Sequence, residues 1–233
     1  MTRSSLLYWF PRIEALGIPV PLTRSVRCDP FKAIEGGPET DRIASEIVAI
    51  VKNLKMRYPL FLRTDHTAGK HDYLRTCYVS DEECIAWSIV ALADDNFCKD
   101  ILFDAIVVRE FLDLDSRFRA FNGLPIGPER RYFVDDGEIL CHHPYWPEDT
   151  IEFYSGTPEP ADWRHKLAVA NTETDAEIAL LSTHALRVAA VMDGAWSVDF
   201  ALTRSGIWYL IDMAEACVSW HPSSTCSRFG GET

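Results

Sequence analysis

The residues with the most chemical reach fall in four places along the chain. Arg63 ends an apolar stretch, Pro59-Leu60-Phe61-Leu62, and leads into Thr64-Asp65-His66-Thr67-Ala68-Gly69-Lys70. A glycine in such a loop lets backbone N–H groups approach phosphate oxygens, and a lysine beside it brings mobile positive charge. The P-loop pattern G-x-x-x-x-G-K-[ST] is absent, so a solvated surface loop is the plain alternative. Val107-Val108-Arg109-Glu110-Phe111-Leu112 runs from an apolar strand into a charged pair. A hinge between two lobes competes there with a strand end closed by its own ion pair. In Glu129-Arg130-Arg131-Tyr132-Phe133-Val134, alternation sends Arg131 and Phe133 to one face and Arg130 and Tyr132 to the other. An unpaired buried guanidinium is costly, so an inward arginine must meet a carboxylate or a bound phosphate. Asp199 and Asp212 lie among apolar residues on two segments joined through Arg204-Ser205-Gly206. Antiparallel pairing can bring them within reach of one cation, and Mg²⁺ takes such oxygen ligands together with substrate phosphates.

Other chemistry has less support. Cys141-His142-His143 and His165 match no common closed zinc site, and Pro144 follows at once. There is no G-x-S-x-G for an α/β-type hydrolase and no pattern that singles out an activated cysteine. Trp9, Trp146, Trp163, Trp196, Trp208 and Trp220 read as packing residues rather than a ligand cage.

The elements that must hold these residues are a mixture of helices and strands. Ile43, Ile47, Ile50, Val51 and Leu54 recur at helical spacing after Gly36-Gly37-Pro38. Ser80-Asp81-Glu82-Glu83 and Thr174-Asp175-Ala176-Glu177 have the form of capping boxes, each followed by an apolar helical stripe. Strands are expected at 59–63, 105–109, 196–202 and 207–213, with a hairpin of 130–134 and 138–142 around Asp135-Asp136-Gly137. Residues 122–128 and 144–173 read as irregular, and the tail after His221 as frayed. At least two hairpins break any β–α alternation, so the fold class is α+β.

Composition bounds the rest. The chain has 233 residues, 47% hydrophobic and 25% charged, enough to bury a core in one large domain or two small lobes. A formal net charge of −12 argues against a general nucleic-acid or anionic-membrane binder. No apolar run suits a membrane span or a secretory signal, and 7 cysteines without a C-x-x-C pair fit reduced thiols, so a cytoplasmic location is expected.

Taken in order, these features resemble the ATP-grasp superfamily, over most of the chain. Gly17-Ile18-Pro19-Val20-Pro21-Leu22-Thr23 is similar to the segment that often precedes that domain, and 107–112 to its hinge strand. Glu129 to Val134 resembles its E-[FY]-R-x-F-V strand, and Asp199 with Tyr209-Leu210-Ile211-Asp212 its paired metal-binding strands. The details are most similar to the compact branch with two Arg and one Lys in the nucleotide site and to cell-division-cycle protein 123. The resemblance implies two α+β lobes clasping a nucleotide between antiparallel sheets. It divides the chain into a preceding segment (1–37), a small lobe with a phosphate-covering loop (38–106), a large lobe (107–222) and a flexible tail (223–233).

It also implies ATP and Mg²⁺ as cofactors. Arg63, Gly69, Lys70 and Arg131 would lie on the phosphate side, with Arg109 as the reserve second arginine. Glu110, Phe111 and Leu112 would line the adenine and ribose, Asp199 and Asp212 would hold the metal, and Arg131 and Lys70 would be catalytic. The implied activity is an ATP-dependent carboxylate–amine (or thiol) ligase working through an acyl phosphate, on an unidentified carboxylate. The alternative is an ATP-binding assembly factor that grips a protein partner without net ligation. One departure stands out: the metal motif E-x-N reads Asp212-Met213-Ala214, with Glu215 one residue further on.

Overall fold

The computed structural model describes residues 2–155 and 160–222. In chain order the elements are α1 (Leu6–Ile13), β1 (Thr23–Arg27), α2 (Pro30–Glu35), α3 (Pro38–Leu54), β2 (Leu60–Thr64), α4 (Tyr73–Thr76), β3 (Tyr78–Val79) and α5 (Ile85–Phe97). They continue with β4 (Ala105–Glu110), β5 (Phe118–Ala120), β6 (Leu124–Ile126), β7 (Glu129–Asp135), β8 (Glu138–Pro144), α6 (Glu148–Tyr154), α7 (Trp163–Asn171), α8 (Asp175–Ala189), β9 (Trp196–Leu202) and β10 (Trp208–Glu215).

Two antiparallel four-stranded sheets carry the architecture, ordered β1-β4-β2-β3 and β10-β9-β7-β8. Alternation decides what each face meets. In the first sheet Leu60, Leu62, Ile106 and Val108 join Ile43 and Ile47 of α3 and Ile89 and Leu92 of α5 in one core. In the second, Tyr132, Val198, Phe200 and Met213 pack against Leu181 and Val188 of α8. The opposite faces of both sheets carry Arg63, Arg109, Arg131 and Asp199 among apolar residues such as Phe61, Val107 and Phe133. A third apolar cluster, with Phe118, Phe121, Leu124, Trp146 and Trp163, forms around the small β5–β6 hairpin. The fold is α+β, as expected from the hairpins.

Several elements correct the sequence expectations. Residues 122–128 contain β6, and the stretch 144–173 contains α6 and α7, with Pro147 as the N-cap of α6. Asp81, not Ser80, caps the turn that opens α5: its Oδ1 accepts from Glu83 N and Cys84 N at 3.1 and 3.1 Å. Thr174 does cap α8, accepting from Glu177 N at 3.2 Å. α1 is an addition to the expected elements, although Leu6, Trp9, Phe10 and Ile13 have helical spacing and are all buried. Residues 1–37, expected as a preceding segment, serve both layers: α1 joins the core of the second sheet and β1 pairs with β4 of the first. The tail 223–233 lies outside the described residues. No helix among the described residues is long and apolar enough to cross a membrane.

Asp65, fully buried just past β2, ties these parts together. Its Oδ1 accepts from the backbone N–H groups of Asp104 (2.9 Å) and Ala105 (3.1 Å), and its Oδ2 accepts from Ser5 Oγ (2.5 Å), the N-cap of α1. Asp65→Ala would leave three donors without an acceptor. The expected loss is about 3 kcal/mol in urea unfolding, since each orphaned buried polar group costs about 1–3 kcal/mol. A loss below about 1 kcal/mol would show that water or a shifted backbone satisfies these groups.

Candidate functional site

The cleft-side faces of the two sheets, which carry the charged residues, meet across a concave site. The first sheet contributes Phe61 and Arg63 from β2 and Arg109 and Glu110 from β4; the second contributes Asp199, Ile211 and Asp212. Phe111, Leu112, Leu124 and Pro125 form an apolar end. Ala68 and Lys70 close another side, from the loop after β2.

The second sheet places its polar residues in a single row. Asp212, Asp199, Arg131 and His143 are successive register partners across β10, β9, β7 and β8, so they share one face. The row depends on a β-bulge. Leu210 pairs with Phe200, yet Asp212 pairs with Asp199, so Ile211 is the extra residue. Strict alternation from Leu210 would have put Asp212 on the core face; the bulge shifts β10 by one residue and turns it into the cleft.

Each acid of the row holds an arginine. Arg131 Nε and Nη2 donate to the two oxygens of Asp199, at 2.7 and 2.7 Å, while its Nη1 donates to the Trp220 carbonyl at 3.0 Å. Arg63, 2% exposed, donates to Asp212 Oδ1 at 2.8 Å and to the carbonyls of Thr64 and His66 at 3.0 and 3.3 Å. Burial opposes ionisation of Asp212, but the guanidiniums of Arg63 and Arg109 outweigh it and hold its carboxyl below the usual range.

Arg109 is different. It is 4% exposed, and its Nη1 donates to the Ile211 carbonyl at 2.5 Å, but Nε and Nη2 have no hydrogen-bond partner among the described residues. Burial, with help from the nearby Arg63 charge, lowers its pKa to about 9. A guanidinium buried in a cleft wall with two unbonded nitrogens has the chemistry to receive an anion. Lys70 is the second available cation. Its ammonium donates to the Tyr145 hydroxyl and stands 4.0 and 4.7 Å from the ring centres of Tyr145 and Trp146. Burial works against its charge, yet Tyr145 and Glu129 keep its pKa above the usual value.

The structure thus brings Arg63, Lys70, Arg109, Glu110, Phe111, Leu112, Asp199 and Asp212 to one cleft. Gly69 and Arg131 are not in its wall. Gly69 N–H donates to Thr67 Oγ1 at 3.3 Å, and its positive φ (+60°) beside Thr76 makes it a turn residue. The loop it belongs to is pinned by Thr64 Oγ1, which accepts from the N–H groups of His66 and Thr67 at 3.3 and 3.0 Å. Arg131 stands behind Asp199, and Tyr145 stacks on it at 4.6 Å. Arg130 is the structural member of the pair: it faces α8 and bonds Glu177. Glu110 Oε1 accepts from Leu22 N at 2.8 Å and fixes the segment before β1. Glu215 faces away and pairs with Arg3 at 3.6 Å, so it does not replace the missing asparagine. Sequence reasoning weighed His143 only as a zinc ligand and gave Glu129 no role of its own; in the structure His143 Nδ1 donates to the Pro144 carbonyl at 2.7 Å, and Glu129 Oε1 accepts from Trp146 Nε1 at 2.9 Å.

Among the described residues no group of three or more His, Cys, Asp and Glu could hold a metal ion. The donors still suit Mg²⁺ bound partly through a ligand. Asp212 uses only Oδ1, and one or two carboxylates with phosphates and waters are the usual set.

Glu129 makes the site pH-dependent. Burial, partly offset by Lys70 and the Trp146 hydrogen bond, raises its pKa from 4.5 to about 6. A raised carboxyl contributes stability below its unfolded pKa and loses it as pH rises through the folded one. Wild type should therefore lose about 2 kcal/mol between about pH 4.5 and about pH 7 that Glu129→Gln retains. Parallel pH profiles of urea unfolding for the two proteins would show that Glu129 is not the group responsible.

Comparison with known proteins agrees with this geometry. Residues 48–229 match the model of an ATP-grasp domain family, the third of the clade with two arginines and one lysine. No curated protein matches. Among solved structures, the chain is similar to carboxyaminoimidazole ribonucleotide synthase from Aspergillus clavatus complexed with ATP, with TM-score 0.56 and 16% identity. The match covers 91% of this chain and 44% of the synthase, less than half of that protein's length. C-terminally truncated Cdc123 from Schizosaccharomyces pombe gives TM-score 0.57 and 12% identity over 91% of this chain and 83% of that one. N5-carboxyaminoimidazole synthetase from Staphylococcus aureus complexed with ADP gives 0.52 and 12%, over 91% and 44%. At such identities these structures show the fold alone, whereas the match over residues 48–229 goes further: the chain belongs to the ATP-grasp domain proteins, in family 3 of the two-arginine, one-lysine clade.

Proposed function

We propose that the chain binds ATP in this cleft and uses it to activate a carboxylate for attack by an amine or thiol. The observation that carries the nucleotide reading is Arg109, a buried cation with two idle N–H groups beside an apolar end formed by Phe111, Leu112, Leu124 and Pro125. A ligand with an anionic and a flat apolar part satisfies both. In this reading Arg109, Lys70 and Arg63 neutralise the phosphates, and the backbone and side chains of Glu110 to Leu112 take the base and ribose. Lobes of residues 38–106 and 107–222 would form the two jaws. Mg²⁺, when bound, screens phosphate charge, and the residue with a spare oxygen for it is Asp212.

Phosphoryl transfer is mostly positioning and charge neutralisation, which suits cations fixed on two sheets. In this reading Lys70, boxed by Tyr145 and Trp146, would hold the transferred group rather than move protons, and Arg131, locked on Asp199 behind the cleft wall, would support that side of the site without touching it. An acyl phosphate formed there would pass its acyl group to the amine and release phosphate. The two solved synthases, one complexed with ATP and one with ADP, are more than twice as long as the matched region. The second reading, an ATP-binding assembly factor related to cell-division-cycle protein 123, draws on the 83% coverage of Cdc123.

Calorimetric titration with ATP, with and without Mg²⁺, tests the nucleotide site. Arg109→Met should weaken ATP at least about tenfold, since hydrogen bonds to charged groups contribute about 1.5–3 kcal/mol. The same substitution should leave the free protein as stable as wild type or more so, because a buried and incompletely bonded cation is removed. No binding by wild type would overturn the reading, and unchanged affinity in the variant would remove Arg109 from it. Phosphate release that requires both an added carboxylate and an amine selects the ligase; one stably co-purifying protein without turnover selects the factor.

A further inference from the structure

The two acids that the family resemblance pairs as metal ligands are not equivalent here. The Asp199 side chain is 6% exposed, and both of its oxygens are taken by Arg131, whose own side chain is 11% exposed. The Asp212 side chain is 38% exposed. Its Oδ1 accepts from Arg63 Nη1 at 2.8 Å and from Met213 N at 3.0 Å, and its Oδ2 has no hydrogen bond among the described residues.

A cation that took Asp199 would have to compete for oxygens that already hold a two-point guanidinium pair, weakening or displacing it. It would also strand Arg131 in a place with no other carboxylate bonded to it, which makes that exchange strongly unfavourable. A cation on Asp212 needs only the spare Oδ2, and Arg63 would keep its bonds to the carbonyls of Thr64 and His66. A third protein ligand is missing as well. Ala214, on the same face as Asp212, offers no oxygen from its side chain, and Glu215 is turned to Arg3.

Resting on the nucleotide reading above, we propose that the site takes one divalent cation per bound nucleotide, on Asp212, and that Asp199 is a positioning residue. Asp199 keeps the Arg131 guanidinium fixed over the row and does not touch the metal. The cation's remaining ligands are then phosphate oxygens and water, the mode in which Mg²⁺ ordinarily binds with few protein groups.

The full chain, titrated with Mn²⁺ in the presence of the non-hydrolysable analogue AMP-PNP and followed by electron paramagnetic resonance, decides the matter. The expected stoichiometry is one Mn²⁺ per bound AMP-PNP. Asp212→Asn should weaken Mn²⁺ by at least about tenfold while AMP-PNP still binds without metal. Asp199→Asn should keep Mn²⁺ affinity within about threefold of wild type and instead weaken AMP-PNP by about tenfold, through a loosened Arg131. Two Mn²⁺ per nucleotide, or none, would overturn the proposal, as would an Asp199→Asn protein that loses Mn²⁺ as fully as Asp212→Asn. The wild-type stoichiometry decides even where Asp199→Asn does not fold. Failure of AMP-PNP to bind wild type at all would instead remove the nucleotide reading on which the proposal rests.

Discussion

Arg109 of the first sheet donates to the carbonyl of Ile211, the residue by which β10 bulges out of register in the second. A bulge leaves a residue outside regular pairing, and here its carbonyl takes a guanidinium from the facing sheet. The same shift of one residue turns Asp212 into the cleft, where it receives Arg63 from β2. Two arginines of one sheet are therefore anchored on two consecutive residues of the other. Without the extra residue Leu210 and Asp212 would share the core face, Asp199 would oppose Ile211, and neither bridge could form. The distance between the sheets, and so the width of the cleft, depends on this local irregularity.

Charge balance in the cleft follows from those anchors. Arg131 is matched by Asp199 and Arg63 by Asp212, while Glu129 and the Tyr145 hydroxyl attend Lys70. Arg109 has a carbonyl and, among the described residues, no carboxylate bonded to it. Loss of solvent and repulsion from Arg63 both act against its charge. The free protein thus holds an unfavourable arrangement that a bound anion would relieve, and arrangements of this kind are commoner in sites than in cores. It is also local: the protein as a whole carries a net charge of −12, so any attraction for an anion would have to come from these few side chains.

What could be read from the sequence divides along the same physical line. Apolar periodicity located α3, α8 and the strands β2, β4, β7 and β9, because burial on one face leaves a regular trace. Arg63, Lys70, Arg109, Asp199 and Asp212 were legible as candidates because charged residues at the ends or in the middle of apolar strands have few innocent reasons to be there. Which acid each arginine would take was not legible, since it rests on strand register between segments far apart in the chain. The bulge at Ile211 has no signature in Tyr209-Leu210-Ile211-Asp212-Met213. The roles of Glu129 and His143 were hidden for a related reason: their importance lies in burial next to Lys70 and Arg131, which neighbours in sequence do not reveal. Gly69 is ambiguous for another reason, because a left-handed turn and a phosphate cradle ask for the same residue.

The row across the second sheet also gives the cleft a polarity. At β10 it is open, with Asp212 partly exposed and offering an oxygen; toward β8 it closes over Arg131 and His143. Burial chiefly, with Arg131 adding to the effect, lowers the pKa of His143, and its Nδ1 is committed to the Pro144 carbonyl. Its Nε2 has no partner among the described residues, and the Trp220 ring packs edge-on against it at 5.5 Å. The arginine–carboxylate pairs of the row end at Arg131, and beyond it lie His143 and the Trp220 ring. In the proposed nucleotide reading, phosphates would find their counter-charges between Arg109 and Lys70, across the two sheets, with the base at the Phe111 and Leu112 end. The aromatic β8 end, with Tyr145 and Trp220, would then be left to whatever group the phosphates do not occupy.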